Sequence, residues 1–192
     1  MQILRLALFA LAICIAFPAV SQDVQAGRKK SGVCVGCHGI KGRSSNLSYP
    51  ILDGQNAGYL YRQMENYQHK HRGDLSMTLI MPILSRDDML SLAAFYAAQT
   101  PAVTKFKADP ERVARGRAKS KELQCPMCHG RNLSGQQEIP RLTGQQYDYV
   151  VKQLRDFRGG LREHATGEVA DAIKALSDMD LENFGHYIAA MR

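Results

Sequence analysis

Cys34-Val35-Gly36-Cys37-His38 and Cys125-Pro126-Met127-Cys128-His129 are two copies of one five-residue pattern in a chain of 192 residues. Cys-x-x-Cys-His is the spacing for covalent attachment of a c-type haem. Its two thiols reach the two vinyl groups of one porphyrin, and the adjoining imidazole turns beneath the iron as proximal ligand. Two other readings compete. Four-cysteine zinc sites separate their pairs by about 15–20 residues, far less than the gap from Cys37 to Cys125. A thioredoxin-like pair needs no histidine after its second cysteine and has no reason to occur twice. The chain therefore reads as carrying two covalently bound haem c groups. Cys34, Cys37, Cys125 and Cys128 are the attachment residues, and His38 and His129 the proximal iron ligands.

Haem attachment of this type takes place outside the bacterial cytoplasm, and the N-terminus agrees with that. Arg5 gives a short positive region, Leu6 to Phe17 an apolar run, and Ala19-Val20-Ser21 small residues before a cleavage near Gln22. This is a signal peptide over residues 1–21, and the expected location is the periplasm. A retained anchor would need roughly 18 apolar residues or more, and Pro18 breaks this run. Cys14 leaves with the signal; the large Ile13 before it argues against a lipoprotein site. The four remaining cysteines are then all committed to haem.

The formal charge is +7, of which the signal peptide holds one unit at Arg5. Haem propionates offset part of the remainder. A modest, diffuse positive charge steers the protein towards acidic protein surfaces; it does not form a nucleic-acid footprint, and peripheral membrane association is compatible with it. Basic residues cluster at Arg112 to Lys121 and Arg155 to Arg162, as solvated helix faces or as a docking patch.

The two halves are an internal repeat. Pro50-Ile51-Leu52-Asp53-Gly54-Gln55 answers Pro140-Arg141-Leu142-Thr143-Gly144-Gln145; Tyr59 and Gln63 answer Tyr149 and Gln153. Leu84-Ser85-Arg86-Asp87-Asp88 answers Leu176-Ser177-Asp178-Met179-Asp180, and Ala97-Ala98 answers Ala189-Ala190. Asp109 followed by Pro110 opens a helix running towards Cys125, with Asp23 to Val33 as its counterpart. Tyr59, Leu60, Met64 and Tyr67, matched by Tyr149, Val150, Leu154 and Phe157, recur at helical spacing as a core stripe. Ser85 with Asp88, and Ser177 with Asp180, cap the last helix of each half. No strand-like alternation occurs. The expected organisation is all-α: an N-terminal domain over 22–100, a linker over 101–108 that begins at Pro101, and a C-terminal domain over 109–192.

These duplicated features together resemble the dihaem cytochrome c4 family, two class I cytochrome c domains in tandem, across the whole of the chain after the signal. A close relative is the dihaem subunit of flavocytochrome c sulfide dehydrogenase. The resemblance implies that the carbonyls of Pro50 and Pro140 accept hydrogen bonds from the proximal histidine rings and orient them. It also places Tyr59, Arg62, Tyr149 and Lys152 where similar domains hold haem propionates, although an exposed helix face gives the same sequence.

A class I domain takes its distal ligand, a methionine thioether, from the loop before its last helix. Met77 matches that position in the first half, with Met81 as runner-up. The residue that stands to Leu176 as Met77 stands to Leu84 is Val169, which has no donor atom. Three arrangements are open for the second iron: ligation by His164 from the same loop, an open position under Val169, or recruitment of Met179 from the first turn of the last helix. His69, His71 and His186 lack repeat-supported positions and read as surface or core residues.

The resemblance implies single-electron transfer between redox proteins in a respiratory chain, towards a terminal oxidase or cytochrome complex or from a periplasmic dehydrogenase. That is the work of a carrier, not an enzyme. Two alternatives are a C-terminal haem that binds small ligands or catalyses, and a chain that serves as the electron-accepting subunit of a dehydrogenase complex. An open distal site separates the first of these from a pure carrier.

Overall fold

The computed structural model describes residues 23–102, 104–162 and 167–192; the expected signal peptide and His164 lie outside them. The described residues form ten α-helices in two sets of five, joined by irregular loops and three short 3₁₀ turns, and their only β-pairings are isolated bridges. The first set is α1 (Val24–Lys30), α2 (Val35–His38), α3 (Ala57–Gln68), α4 (Leu75–Ile80) and α5 (Arg86–Ala97). The second is α6 (Pro110–Glu122), α7 (Cys125–His129), α8 (Tyr147–Arg158), α9 (Gly167–Lys174) and α10 (Asp178–Ala190).

Local chemistry starts these helices where the sequence says they should start. Asp23 and Asp109 accept backbone N–H bonds at the heads of α1 and α6, and Pro110 occupies the first turn of α6, where its missing N–H costs nothing. Ser85 and Asp88 close a reciprocal capping box on α5, and Ser177 and Asp180 do the same on α10.

Within each half the first helix crosses the last at a glycine. A Cβ on Gly27 would collide with the carbonyl of Ser91 in α5, and one on Gly116 with that of Asn183 in α10. Glycine inside a helix costs about 1 kcal/mol relative to alanine. Here it lets two backbones touch, and the apolar residues around the crossing stay dry. In the first half Leu60, Tyr67, Met81, Leu84, Met89, Leu92, Phe95 and Tyr96 form one buried cluster. The second half divides its core into a Leu133, Val150, Tyr187 and Ile188 group and an Ile173, Leu176, Leu181 and Phe184 group. Each such aliphatic or aromatic side chain contributes about 1.5–3 kcal/mol when fully buried.

One expectation needs revision. The segment before each last helix is not a plain loop, because it contains α4 in one half and α9 in the other. Asp74 caps α4 by accepting the backbone N–H of Met77. The tyrosines of the core stripe also divide: Tyr67 is buried in the core, whereas Tyr59 and Tyr149 turn towards the opposite half.

The segment after Pro101 is irregular but fastened to the second half. Thr104 donates from its hydroxyl to Gln146 at 3.0 Å, and Phe106 stacks on Tyr147 with centroids 4.6 Å apart.

Candidate haem sites

Each Cys-x-x-Cys-His run closes in a short helix, α2 or α7, that ends on its histidine; Cys34 ends the 3₁₀ turn before α2, whereas Cys125 opens α7. The next residue, Gly39 or Gly130, takes positive φ, 73° and 78°, and turns the chain sharply away. An L-residue would be strained there. Cys34, Cys37 and Cys125 are partly buried and Cys128 is exposed. Burial pushes the Cys34 and Cys125 thiols up, with the hydroxyls of Tyr96 and Ser120 acting in the opposite direction.

The proximal histidines are held alike. Nδ1 of His38 lies 3.2 Å from the carbonyl oxygen of Pro50, and Nδ1 of His129 lies 3.0 Å from that of Pro140. Burial lowers both imidazole pKa values, so the rings stay neutral near pH 7, and the proline carbonyls only partly oppose this. A carbonyl can only accept, so Nδ1 carries the proton and Nε2 is left with its lone pair for a metal. Two thiols beside a neutral imidazole of fixed tautomer fit a c-type haem.

On the other side of each site the halves differ. Met77, in α4, is half-buried and packs on the cluster that also contacts Cys34. Met81 is 2 % exposed in the same cluster. Val169, in α9, packs on the cluster that also contacts Cys125. Met179 stands in the first turn of α10 and is 61 % exposed. His69 and His71 are exposed, and His186 packs against Phe106 and Tyr147 while its Nδ1 accepts the backbone N–H of Asp109.

The duplicated Pro-x-Leu-x-Gly-Gln run does something its sequence does not disclose. Gln55 accepts the backbone N–H of Arg141 at 2.7 Å and donates to its carbonyl at 2.8 Å. Gln145 does the same to Ile51, at 2.8 and 3.0 Å. Ile51 follows Pro50 and Arg141 follows Pro140, so each half grips the residue next to the other half's histidine-binding carbonyl.

A second reciprocal network lies nearby. Arg72 donates to Tyr149 and Gln153 of the second half and to Gln63 of its own; Arg162 donates to Tyr59 and Gln63 of the first half and to Gln153 of its own. Their backbones form an isolated antiparallel bridge. Each guanidinium also stacks on a matched ring, Tyr67 at 4.7 Å and Phe157 at 4.4 Å. The residues matched to propionate positions are thus divided in their contacts. The Tyr59 and Tyr149 hydroxyls meet these arginines, while Arg62 pairs with Glu138 across the interface and Lys152 with Asp156.

No family model matches the chain. A curated cytochrome c4 from Pseudomonas aeruginosa is 35% identical over 180 residues, covering 88% of this chain and 89% of that protein. The crystal structure of reduced recombinant cytochrome c4 from Pseudomonas stutzeri aligns with a TM-score of 0.81 at 31% identity, over 88% of this chain and 99% of that one. A protein from Stutzerimonas stutzeri named as a thiosulfate dehydrogenase electron acceptor is 27% identical, over 81% of this chain and 77% of its own length.

Proposed function

Because the chain belongs to the cytochrome c4 family, dihaem c-type cytochromes that transfer electrons, we propose that its two haem centres form one joined relay working in the periplasm between soluble and membrane redox proteins. Each bound haem supplies one reversible ferric/ferrous couple. In this reading Cys34 and Cys37 hold the first haem and Cys125 and Cys128 the second, with His38 and His129 on the proximal side and Met77 on the distal side of the first. Pro50 and Pro140 fix the histidine tautomer, so the ligand field is set before an electron arrives.

The observation that carries the relay is the exchange of Gln55 and Gln145 between the halves. It fastens the two proximal segments together through four hydrogen bonds, two from each glutamine, and so keeps the two centres at one separation in every molecule. The proposed partners are a terminal oxidase or cytochrome complex on one side and a dehydrogenase on the other. The thiosulfate dehydrogenase acceptor among the relatives supports the second of these.

The positive charge that remains once Arg5 leaves with the signal peptide and the haem propionates are counted favours docking on acidic surfaces, with an encounter rate that falls as salt shortens the Debye length from about 30 Å at 0.01 M to about 10 Å at 0.1 M. Stopped-flow reduction of the holoprotein by a purified thiosulfate dehydrogenase, followed at both salt levels, tests this. The expected result is reduction of both haems, slower at the higher salt. Failure to accept electrons, or a rate indifferent to salt, contradicts the proposed partnership.

A further inference from the structure

We propose that the C-terminal domain supplies no methionine to the distal side of its haem and offers instead an apolar site for a small uncharged diatomic ligand, for which carbon monoxide is the probe. This rests on the reading that Cys125, Cys128 and His129 hold the second haem.

The two halves place α4 and α9 alike. Each is a short helix that leads through a leucine, Leu84 or Leu176, into the capping serine of the last helix. The third residue of α4 is Met77 and the third of α9 is Val169. Both are half-buried, and each packs on the cluster that touches the first cysteine of its own motif. The geometry therefore repeats while the chemistry does not, since a thioether offers a lone pair to iron and an isopropyl group offers none.

The described donors of the second half lie elsewhere. Met127 is inside the attachment run and 75 % exposed, and Met179 is 61 % exposed. Met191 packs on the separate Leu133, Val150, Tyr187 and Ile188 group. His186 already accepts the N–H of Asp109.

What surrounds Val169 selects the ligand's chemistry. Ile173, Leu176, Leu181 and Phe184 form the buried group there, with Leu154 packed against it. Arg162 stacks on neighbouring Phe157, but its donors go to Gln153, Tyr59 and Gln63. Against the described residues of this group, an entering anion loses its hydration without recovering hydrogen bonds. A neutral π-acceptor diatomic loses almost nothing. The first half, with Met77 in the matching place, is the internal control.

The test uses the full chain matured with both haems. A pyridine haemochrome assay first counts the haems per chain, and a count below two overturns the underlying reading and not the ligand proposal. With two haems present, dithionite-reduced protein is titrated with carbon monoxide and followed by its Soret difference spectrum.

The proposal expects one carbon monoxide bound per chain, and two in Met77→Ala. In Val169→Met it expects loss of most of that binding, together with growth of the weak near-red band of ferric thioether ligation. No binding at saturating carbon monoxide overturns the proposal. If His164→Ala then restores one equivalent, the sixth ligand is His164. One equivalent that does not rise in Met77→Ala also overturns it, because the binding then belongs to another position. The Met77→Ala result holds the proposal to account even where the larger side chain at position 169 disturbs folding.

Discussion

At the scale of single residues, the chain spends its polar groups on fixing orientation. His38 is 7 % exposed, and its Nδ1 faces one acceptor, the Pro50 carbonyl. Nothing else about the ring has to be set, because that one bond decides which nitrogen is free. Beside each first cysteine lies a buried hydroxyl, Tyr96 in one half and Ser120 in the other, with no nitrogen or oxygen partner among the described residues. Among the described residues the group that acts on each is the neighbouring sulfur, a weak acceptor. Removing an unsatisfied buried hydroxyl costs little. Tyr96→Phe and Ser120→Ala are therefore expected to change holoprotein stability by less than about 1 kcal/mol, as read by guanidinium unfolding; a loss of several kcal/mol would show that these hydroxyls make bonds of consequence.

At the scale of elements, the capping boxes on α5 and α10 make a prediction about acid. Asp88 is held below its ordinary 3.8 by Lys30 and the Ser85 cap, and Asp180 by the Ser177 cap. A carboxyl group depressed in the folded state binds its proton more readily when unfolded. The stability it lends is complete above 3.8 and disappears as pH falls through the lowered folded value. Replacing both with asparagine should flatten the stability profile below pH 4 relative to wild type, and an unchanged slope would assign the acid sensitivity elsewhere. Ser85→Ala and Ser177→Ala are each expected to cost about 1 kcal/mol, measurable as a lower denaturation midpoint with an unchanged slope.

These caps were legible in the sequence because they are local: a serine and an aspartate three residues apart carry their own meaning. Gly27 and Gly116 were equally visible as glycines within helical stretches of both halves, yet their purpose depends on Ser91 and Asn183, which lie far along the chain. Helices α4 and α9 went unread for a different reason. Each is a few turns at most and stands next to residues chosen for the haem side, so periodicity has little room to show.

At the scale of the whole molecule, two domains built on one repeat are bound by bonds that run in both directions. The repeat was plain from the sequence, but its glutamines looked like parts of their own halves. That Gln55 serves Arg141 and Gln145 serves Ile51 follows only from how the halves face each other. Gln145→Leu leaves the backbone N–H and carbonyl of Ile51 unpaired, at about 1–3 kcal/mol each. Its effect should appear across the interface, as a shifted electron paramagnetic resonance signal from the N-terminal haem, while Gln55→Leu moves the C-terminal one. Signals that move only within the mutated half would break this account of the coupling.

Arg72 and Arg162 join the domains more broadly. Arg72 is 5 % exposed, and its removal takes the arginine donor from the Tyr149 hydroxyl and leaves Gln63 and Gln153 with Arg162 as their only arginine donor among the described residues. Calorimetry of Arg72→Met is expected to show two unfolding transitions where the wild type shows one; a single transition in both would mean the domains are held together by other contacts.

The central claim is that one chain carries two electron-transfer centres with unlike distal sides, Met77 on one and Val169 on the other. Spectroelectrochemical titration of the holoprotein tests it most directly. Thioether ligation raises a haem's reduction potential, so the account predicts two reversible one-electron steps of equal amplitude, well separated. The lower step belongs to the C-terminal haem and moves up towards the other in Val169→Met. Two coincident steps, or a lower step that stays in place when Val169 becomes methionine, would contradict it.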